Sequence, residues 1–541
     1  MAQRVKGRTG GSLVAESLEA AGAEVAFGVP GIHALAIWEG LRTSSVRAVG
    51  LRTELDAGFA ADGYARTSGR PAPLLLSTGP GALISLAALM EAASAHVPVV
   101  ALASQIPSDL VGRGRGFLHE LPDQLASFAP VAKWAARAES AAAIPGLLAE
   151  AWRRSLAPPS GPVFLEIPVD LLAAETDLPA VDELDTAPAP APLPPEDALA
   201  EAARILAGAE RPVLWAGGGV LRSGAWAELA ALAERLGAPV ATTYMGKGAF
   251  PDDHPLAAGA AADEAGFREL LAGADAVLAV GTELGAETTG QYGLSFSGRL
   301  LHLDAAPERI GATYPALGLV GDARAVLAAL LVRLPARAPG DGERLVAELR
   351  ARVEAGLAEQ DRDGERELLR TLREAIPRDT VTAWDMTIAA YWAAAHFPVY
   401  EPRTFLYPLG SGTLGYAWPA ALGASLAVPG RTTVAVAGDG GVLYGLAELA
   451  AARQHGLDAV LLLVDDGGYG ILREYQRDSF GETFAVDLAQ PDFRALVEAF
   501  GVPVSTVAPE EAGEALAGAV ARGGPAVVHV PAHLEMWTPT P

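Results

Sequence analysis

The sequence has no cysteine among its 541 residues, and it has no long uninterrupted apolar run. Without cysteine, the chain cannot form disulfide bonds, thiolate nucleophiles or cysteine-ligated metal sites. The longest apolar candidate, around residues 83–104, contains Glu91, His96 and Pro98, so it is not typical of a membrane-spanning helix. The apolar character of the chain comes instead from its many alanines. We therefore expect no membrane-embedded segment.

Basic residues are scarce relative to acidic ones, since 40 Lys and Arg stand against 65 Asp and Glu for a net charge of −25. This balance argues against a nucleic-acid partner or an anionic membrane surface, whereas a small anionic substrate needs only a local positive site. Residues 1–9 are basic but lead into an amphipathic helix rather than an apolar secretory core. We expect a soluble protein of the cytoplasm.

The chain does contain a regular alternation of short apolar strands and helical patterns in three segments. Strands are predicted near residues 25–29, 46–51, 73–77, 97–103 and 163–167, then 213–216, 239–243, 276–280 and 300–303, and finally 380–383, 404–407, 432–437, 460–464 and 526–530. Such alternation is typical of doubly wound, mostly parallel sheets. We therefore predict an α/β fold with three parallel-sheet domains.

Two stretches separate these segments. A proline-rich spacer covers residues 186–195, and a second break near 335–341 is followed by a charged helix up to about residue 373. The predicted domains are 8–178, 196–334 and 366–541, and the outer two are similar in size.

The most informative pattern lies in the third segment, where two apolar strands each end in acidic and glycine residues. Strand 432–437 runs into Gly438-Asp439-Gly440-Gly441, and strand 460–464 runs into Asp465-Asp466-Gly467-Gly468. Either glycine run alone is an ordinary strand-end turn, but the pair places two carboxylates where open α/β sheets bind ligands.

These residue types favour a metal-linked diphosphate site. Carboxylates of Asp439 and Asp466, with the carbonyl of Gly468 as a third ligand, are the oxygen donors that Mg²⁺ prefers. Gly440 and Gly441 allow phosphates to approach the backbone closely. A helix predicted over 443–454, starting directly after these glycines, would point bare N–H groups at the phosphates.

Glu54 begins a predicted helix, 54–66, that is rich in small residues. The helix dipole alone favours an acid in the first turn. However, small residues let another surface pack closely, and a carboxylate enclosed there would have a raised pKa and would share a proton with a ligand nitrogen. Together with the metal pattern, Glu54 is a candidate catalytic residue.

Two histidines lie on predicted loops at the same edge of the first sheet as the glycine-proline turns 28–33 and 78–81. His33 and His119 are each either a capping or core histidine, or a proton-transfer group facing a site, because loops concentrate functional polar residues. In the middle segment, the glycines at 217–219 are a weak nucleotide-loop signal that is more often a plain turn.

The metal pattern, Glu54 and the loop around Leu414 together resemble the thiamine diphosphate (ThDP) enzymes of the acetolactate synthase and 2-oxo acid decarboxylase superfamily, over nearly the whole chain. That superfamily has a pyrimidine-binding domain, a Rossmann-like domain and a diphosphate-binding domain, in the order of the three segments. The resemblance implies ThDP and Mg²⁺ as cofactors, a 2-oxo acid as substrate, and a homodimer or homotetramer with active sites between subunits.

The resemblance also implies roles for individual residues. Glu54 matches the glutamate that hydrogen-bonds the aminopyrimidine N1′, and Leu414 matches the apolar residue that supports the bent cofactor. The backbone of Gly412 and Leu414 is expected to hold the aminopyrimidine edge, and His33 and His119 are candidate catalytic groups. Further cofactor contacts are expected from Asp385, Thr387, Gly440, Gly441, Tyr469, Gly470 and Ile471, and metal ligation from Asp439, Asp466 and Gly468.

Several positions depart from the superfamily pattern. Asp465-Asp466 stand where an asparagine pair is usual, and Thr53 stands where histidine often precedes the glutamate. The histidine pair of pyruvate decarboxylases is absent, its nearest equivalent being His119-Glu120, and Ile471-Leu472 replace their glutamate. Residues that hold FAD are not recognisable at 281–285, so we do not expect FAD.

Because these proton-donating acids are missing, we favour decarboxylation followed by carboligation, as in acetolactate synthase. The alternatives are a simple non-oxidative decarboxylase, similar to guanidino-oxopentanoate or benzoylformate decarboxylase, and a ThDP-binding protein without turnover. A nicotinamide or flavin oxidoreductase using residues 217–219 is a third alternative. Leu472, Tyr475 and Trp418 are expected to line the substrate pocket.

Overall fold

Three sheets of six strands each form the framework, and every strand pairing within them is parallel. The computed structural model describes residues 7–260, 262–335 and 340–540. The predicted α/β class with three parallel sheets is confirmed. Residues 1–6, and residues 336–339 of the predicted second break, lie outside the described residues.

The first sheet lies within the predicted range 8–178. Its strands are β1 (Val25–Gly28), β2 (Arg47–Gly50), β3 (Ala72–Leu76), β4 (Val99–Gln105), β5 (Ala135–Arg137) and β6 (Val163–Pro168), in the order β2-β1-β3-β4-β6-β5. Its helices are α1 (Gly10–Ala20), α2 (Leu35–Leu41), α3 (Glu54–Ser68), α4 (Pro80–Ile84), α5 (Leu86–Ser94), α6 (Gln124–Phe128), α7 (Ile144–Leu156) and α8 (Val169–Ala173). Strands β1, β3, β4 and β6 are buried throughout, as expected for a parallel sheet covered on both faces.

The second sheet lies within the predicted range 196–334. Its strands are β7 (Pro212–Ala216), β8 (Val240–Thr242), β9 (Ala257–Gly259), β10 (Ala276–Val280), β11 (Arg299–Asp304) and β12 (Leu317–Val320), in the order β12-β11-β10-β7-β8-β9. The helices here are α9 (Glu196–Gly208), α10 (Gly218–Ser223), α11 (Trp226–Leu236), α12 (Ala265–Gly273) and α13 (Ala323–Leu331), and α14 (Gly342–Ala358) follows.

The third sheet lies within the predicted range 366–541. Its strands are β13 (Thr382–Trp384), β14 (Phe405–Leu406), β15 (Thr433–Gly438), β16 (Ala459–Asp465), β17 (Val504–Thr506) and β18 (Ala526–Pro531), in the order β14-β13-β15-β16-β18-β17. Its helices are α15 (Asp363–Ala375), α16 (Ile388–His396), α17 (Ala417–Ala427), α18 (Asp439–Val442), α19 (Glu448–His455), α20 (Gly470–Phe480), α21 (Phe493–Ala499) and α22 (Ala512–Arg522). Single 3₁₀ turns occur at Ala141–Ala143, Tyr244–Gly246, Glu287–Thr289, Pro307–Arg309 and Pro509–Glu511.

Two helix predictions were wrong. The helix expected over 443–454 is interrupted, because α18 ends at Val442 and α19 begins only at Glu448. Tight i→i+3 bonds, such as Gly445 N to the Val442 carbonyl at 3.1 Å, fill the gap, since a glycine-rich stretch propagates an α-helix poorly. The charged helix expected up to residue 373 is two helices, α14 and α15.

The strands that sequence reading missed are β5, β9, β12 and β17, and each lies at the edge of its sheet. These four strands have only three or four residues each, and β5, β12 and β17 are mostly half-exposed, so they lack the long apolar run that marks a central strand. Among the described residues, no helix combines the length and apolar character needed to cross a membrane.

Helix α3 of the first domain packs directly against helix α17 of the third. A Cβ atom on Gly63 would lie 2.1 Å from the carbonyl oxygen of Ala420, and one on Gly423 would lie 1.8 Å from that of Ala60. Glycine at these two positions lets the backbones touch. Residues of both helices belong to one buried apolar cluster, so the first and third domains share a core.

We expect Gly423→Ala to destabilise the protein by about 1–3 kcal/mol, because the added methyl group meets backbone that no rotamer change can move. Gly208→Ala is the matched control, since a Cβ on this helical glycine would meet nothing within 4 Å. That control is expected to be neutral or to stabilise by up to about 1 kcal/mol. Urea unfolding of both variants measures the difference, and equal unfolding free energies would contradict the close-contact interpretation.

Candidate active site

A cavity of 250 Å³ lies at the C-terminal ends of β13, β15 and β16. The position is the one where open α/β sheets bind ligands. Its lining includes twelve residues singled out from the sequence: Asp385, Thr387, Gly412, Leu414, Asp439, Gly440, Gly441, Asp466, Gly468, Tyr469, Gly470 and Ile471. The structure therefore gathers all the predicted metal and diphosphate residues around one space.

Two aspartates supply the negative charge of this cavity. Asp439 is the first residue of α18, is 1% exposed, and accepts a 2.6 Å hydrogen bond from Gln490 Nε2. Burial, followed by the charges of Asp466 and Asp465, raises the pKa of Asp439 to about 6. Burial also raises the pKa of Asp466, and its Oδ1 accepts no hydrogen bond in the described part of the chain but lies 3.4 Å from Arg473 Nη1 in an ion pair. Sequence reading missed Gln490, because no strand or glycine pattern marks it.

The donor set fits a hard divalent cation. The charge of Asp466 raises the pKa of Asp439, so a positive ion between the two carboxylates is stabilising, and it would compete with Arg473, which lies 3.4 Å from Asp466 Oδ1. Among the residues described, no cluster of three or more His, Cys, Asp or Glu side chains is arranged around a metal position. This agrees with the predicted set, which has two carboxylates and a backbone carbonyl and leaves positions for phosphate oxygens and water.

The glycines beside the aspartates fit a diphosphate. A Cβ on Gly440 would lie 2.7 Å from the ring of Tyr469, and one on Gly441 would lie 2.7 Å from Oδ2 of Asp385. Side chains are therefore excluded on the inner side of the turn, and bare backbone forms the cavity wall. Backbone of this kind at the start of a helix is suited to phosphate oxygens.

Asp385 fixes the loop that carries Leu414. Its carboxylate accepts hydrogen bonds from the backbone N–H of Gly415 at 3.0 and 3.1 Å and from that of Met386 at 2.9 Å. Burial raises the pKa of Asp385 to about 6, while these backbone bonds act in the opposite direction. Asp385 thus acts on the cavity by holding the 412–415 loop in place.

The first domain holds the same loop from the other side. Glu91, which is fully buried, accepts hydrogen bonds from Gly410 N at 3.2 Å, and from Ser411 N at 2.7 Å and Ser411 Oγ at 3.0 Å. Arg66 balances its charge with a 2.8 Å ion pair. In the sequence, Glu91 only argued against a membrane span, because nothing in a single sequence indicates a partner more than 300 residues away.

Glu54, His33 and His119 form a second group, at the C-terminal edge of the first sheet. A Cβ on Gly81 would lie 2.8 Å from Glu54 Oε1, and one on Gly79 would lie 2.4 Å from the His119 carbonyl. The rings of His33 and His119 are 5.2 Å apart, and each Nδ1 is buried without a hydrogen-bond partner among the described residues. Within one chain, none of the three lines the 250 Å³ cavity.

Burial sets the protonation tendency of this second group. It raises the pKa of Glu54, and it lowers the pKa of His33, with a further contribution from nearby His119. A carboxyl with a raised pKa and an imidazole with a lowered pKa are both suited to proton transfer.

Of the predicted pocket walls, Leu472 and Tyr475 line the cavity. The prediction for Trp418 was wrong: it is 1% exposed and lies in the core shared by the outer domains, because its helix α17 faces α3. Tyr391, which sequence reading missed, also lines the cavity beside Tyr475.

The glycines at 217–219 have a packing explanation. A Cβ on Gly217 would lie 2.3 Å from the carbonyl oxygen of Gly281, and one on Gly219 would lie 2.6 Å from the Cα of Gly281. Two turns at the C-terminal edge of the second sheet therefore touch backbone to backbone, beside a cavity of 650 Å³ that Arg222 and Asp304 help to line.

Comparison with known proteins adds three domain matches. The chain matches the N-terminal TPP binding domain of thiamine pyrophosphate enzymes over residues 8–127, their central domain over 199–330, and their C-terminal TPP binding domain over 385–530. Thiamine pyrophosphate (TPP) and ThDP are the same compound. The order agrees with the three sheets described above.

Individual relatives cover almost the full chain. The chain is 40% identical over 510 residues to the probable 2-ketoarginine decarboxylase of Pseudomonas aeruginosa, covering 93% of this chain and 90% of the relative. It is 31% identical over 546 residues to the probable acetolactate synthase large subunit of Methanocaldococcus jannaschii, covering 96% and 91%. The acetolactate synthase large subunit of Corynebacterium glutamicum is 32% identical over 482 residues, or 86% of this chain and 76% of the relative. The chain therefore belongs to the thiamine pyrophosphate enzymes, as a member of the superfamily of acetolactate synthase and the 2-oxo acid decarboxylases.

Proposed function

We propose that this ThDP-dependent enzyme requires Mg²⁺ and decarboxylates a 2-oxo acid that carries a positively charged side chain. The observation that carries the proposal is the 250 Å³ cavity, which is lined by two aspartates, bare glycine backbone and a pair of tyrosines. The 40% identity to a probable 2-ketoarginine decarboxylase supports the same substrate class.

In this proposal Asp439, Asp466 and the Gly468 carbonyl hold Mg²⁺, and the backbone of Gly440 and Gly441 holds the diphosphate. When bound, ThDP supplies an electron sink that makes loss of CO₂ from a 2-oxo acid possible. The chain itself binds, orients and moves protons. Leu414 would support the cofactor, since its loop is fixed by Asp385 and Glu91.

In this proposal, residues of the first domain carry out proton transfer. Glu54, whose pKa is raised by burial, holds a proton against the pyrimidine nitrogen. His33 and His119 would serve as proton-transfer groups, and their Nδ1 atoms, which have no hydrogen-bond partner among the described residues, leave both imidazoles available. Because these groups and the 250 Å³ cavity lie apart in one chain, each complete site requires a second copy of the chain.

Exposed apolar side chains flank both groups and support this assembly. Ile32 and Leu35 lie beside His33, and Leu443 and Tyr444 follow the metal turn. Apolar surface next to an incomplete site is typical of a protein interface. We therefore propose a homodimer or homotetramer with the sites between subunits, acting in the cytoplasm.

The substrate's charge is inferred from the tyrosine wall. After burial, the negative charge of Glu287 is the largest influence that raises the pKa of Tyr475, and Asp263 acts in the same direction. Glu287 lines the neighbouring 650 Å³ cavity, and in this proposal its charge makes the tyrosine end of the 250 Å³ cavity electronegative. A guanidinium or ammonium group is stabilised there by charge and by the aromatic faces.

Carboligation is the second candidate, and one observation favours it. Ile471 and Leu472 line the cavity where pyruvate-type decarboxylases have an acid, so the metal-binding chain offers no carboxyl for protonating the product there. In that case the enzyme would join the decarboxylated acid to a second carbonyl compound and release an acyloin.

The test is CO₂ release from 2-ketoarginine, pyruvate and benzoylformate after reconstitution with ThDP and Mg²⁺, with products identified by mass spectrometry. We expect the highest kcat/KM with 2-ketoarginine, and an aldehyde as product; an acyloin would establish the carboligase. Glu287→Gln should lower kcat/KM about tenfold for 2-ketoarginine, equivalent to about 1.4 kcal/mol, and leave pyruvate unaffected. Glu308→Gln, an exposed residue of the same domain, is the control. Absence of ThDP-dependent CO₂ release from every 2-oxo acid would refute the proposal.

A further inference from the structure

Two buried carboxyl groups meet where helix α19 of the third domain contacts the start of helix α3. Glu448 is fully buried and Asp56 is 1% exposed. Neither residue lines the 250 Å³ cavity, and neither has a role in the chemistry proposed above. Burying two acids together is costly unless something offsets their charge.

One oxygen of each carboxyl holds the turn that leads into Glu54. Glu448 Oε1 accepts hydrogen bonds from the backbone N–H of Arg52 at 2.7 Å and from that of Thr53 at 3.3 Å. Asp56 Oδ2 accepts a 2.7 Å bond from Thr53 Oγ1, which itself caps α3 by accepting from Asp56 N at 3.0 Å. The residues directly before Glu54 are thus fixed from both domains.

The second oxygen of each carboxyl lacks a hydrogen-bond partner unless a proton lies between the two carboxyl groups. Glu448 Oε2 and Asp56 Oδ1 are both buried, and within the described ranges neither finds a hydrogen-bond donor. Both carboxyls bind Thr53, one through its backbone N–H and the other through its hydroxyl, so the two side chains lie close together, and we infer that one proton is shared between them. Gly445 leaves room for this contact, since a Cβ there would lie 2.9 Å from Asp56 Oδ1.

The surrounding charged groups are engaged elsewhere. The guanidinium of Arg52 donates to Gln454 Oε1 at 2.7 Å, and that of Arg47 donates to the carbonyl of His455. His455 Nε2 lies 3.1 Å from Gly50 N, and burial lowers the pKa of this imidazole. No lysine or arginine of the described chain forms an ion pair with Asp56 or Glu448.

We propose that Glu448 is a positioning residue for Glu54, holding the Arg52–Thr53 turn in its active arrangement only while it shares a proton with Asp56. This inference rests on the proposed function, because it concerns the placement of the glutamate that handles the cofactor's proton. It makes the contact between the first and third domains a pH-sensitive support of the site.

The direction of the pH effect follows from the folded protein. Burial, followed by the charge of Asp56, raises the pKa of Glu448 to about 8, and burial raises the pKa of Asp56 to about 6. Since the folded pKa lies above that of the unfolded chain, the stability that the shared proton contributes is complete in acid and is lost as pH rises through about 8. Above that pH, two adjacent carboxylates repel each other and release the turn.

Glu448→Gln and Glu448→Ala separate positioning from simple packing. In the glutamine variant the amide oxygen still accepts from Arg52 and Thr53, and the amide NH₂ replaces the shared proton at every pH. We expect Glu448→Ala to lower kcat by about 10–100-fold with little change in KM for the 2-oxo acid. Glu448→Gln should restore most of that loss and retain activity at pH 9, where the unchanged enzyme declines. Glu498→Gln, in an exposed pair with Arg494, is the control.

Hydrogen exchange of the apoprotein provides a readout that does not depend on turnover. Amides of Arg52 and Thr53 should exchange faster at pH 9 than at pH 7, after correction for intrinsic rates, in the unchanged protein. They should exchange fast at both pH values in Glu448→Ala, and remain protected at both in Glu448→Gln. Equal protection in all three proteins, or an identical alkaline decline of kcat in Glu448→Gln, would overturn the inference. Loss of all ThDP-dependent turnover in the unchanged enzyme would instead refute the proposed function, and the exchange result would still decide the role of Glu448.

Discussion

Asp439→Ala is expected to abolish Mg²⁺-dependent binding of ThDP and to lower kcat/KM by at least about 10³-fold, since a metal-anchored charge contributes several kcal/mol. Asp439 is buried at the end of β15, and its only hydrogen bond from a side chain in the described structure comes from Gln490, so alanine leaves the cavity with one carboxylate facing the proposed metal position. Calorimetric titration of the apoprotein with ThDP at fixed Mg²⁺ measures the effect directly.

The control for this experiment is Asp478→Ala, an exposed aspartate on α20 that should bind the cofactor normally. Asp439→Asn is informative as an intermediate variant, because it retains an oxygen donor and loses the charge; we expect weakened but measurable binding that higher Mg²⁺ partly restores. Unchanged ThDP affinity in Asp439→Ala would show that the metal and diphosphate lie elsewhere.

Glu54→Gln is expected to lower kcat by about 10²–10⁴-fold while ThDP and Mg²⁺ still bind, because an amide cannot hold a transferable proton against the pyrimidine nitrogen. The variant separates proton transfer from cofactor anchoring, since Glu54 lies in the first domain, away from the metal cavity of its own chain. Steady-state kinetics together with ThDP titration measure the two effects. Glu39→Gln, from an exposed pair with Arg42 on α2, is the control.

Mixing the two defects tests whether sites are shared between subunits. Co-expressed Glu54→Gln and Asp439→Ala chains would form heterodimers with one intact site each, restoring about a quarter of normal activity if dimers assemble at random. A mixture as inactive as its parents would contradict a shared site, and full retention of kcat in Glu54→Gln would remove this residue from the chemistry.

Much of the fold follows from the sequence because central parallel strands are continuous apolar runs. β4, β15 and β16 are buried over nearly their whole length and were all predicted within two residues at each end. The edge strands β5, β9, β12 and β17 were not predicted because they are short and most of their residues are partly exposed, as in β5, where none is fully buried. The interrupted helix after Gly441 was missed for another reason: besides its glycines, contact with the first domain shapes this stretch, as the closeness of Gly445 to Asp56 shows.

The candidate site divides in the same way. Residues that follow strand ends, such as Asp439 and Asp466, are found from local pattern, because the carboxyl ends of parallel strands converge at one edge. Local pattern does not identify Glu91, Glu448 and Gln490, since each acts through a partner that is distant in sequence. In addition, no local pattern distinguishes a buried glutamate on a helix from an exposed one. The roles of these three residues depend on tertiary contacts that cannot be predicted from a single sequence.

The contact between α3 and α17 also limits how this enzyme can be recombined with its relatives. Two helices that touch backbone to backbone through Gly63 and Gly423 are complementary only to each other. A chimaera that replaced the first domain alone would bring a foreign helix against α17 and a foreign acid against Glu448. The packing permits exchange of the two outer domains as a matched pair, with the middle domain left in place. We therefore expect the two ends of the gene to be inherited as one unit.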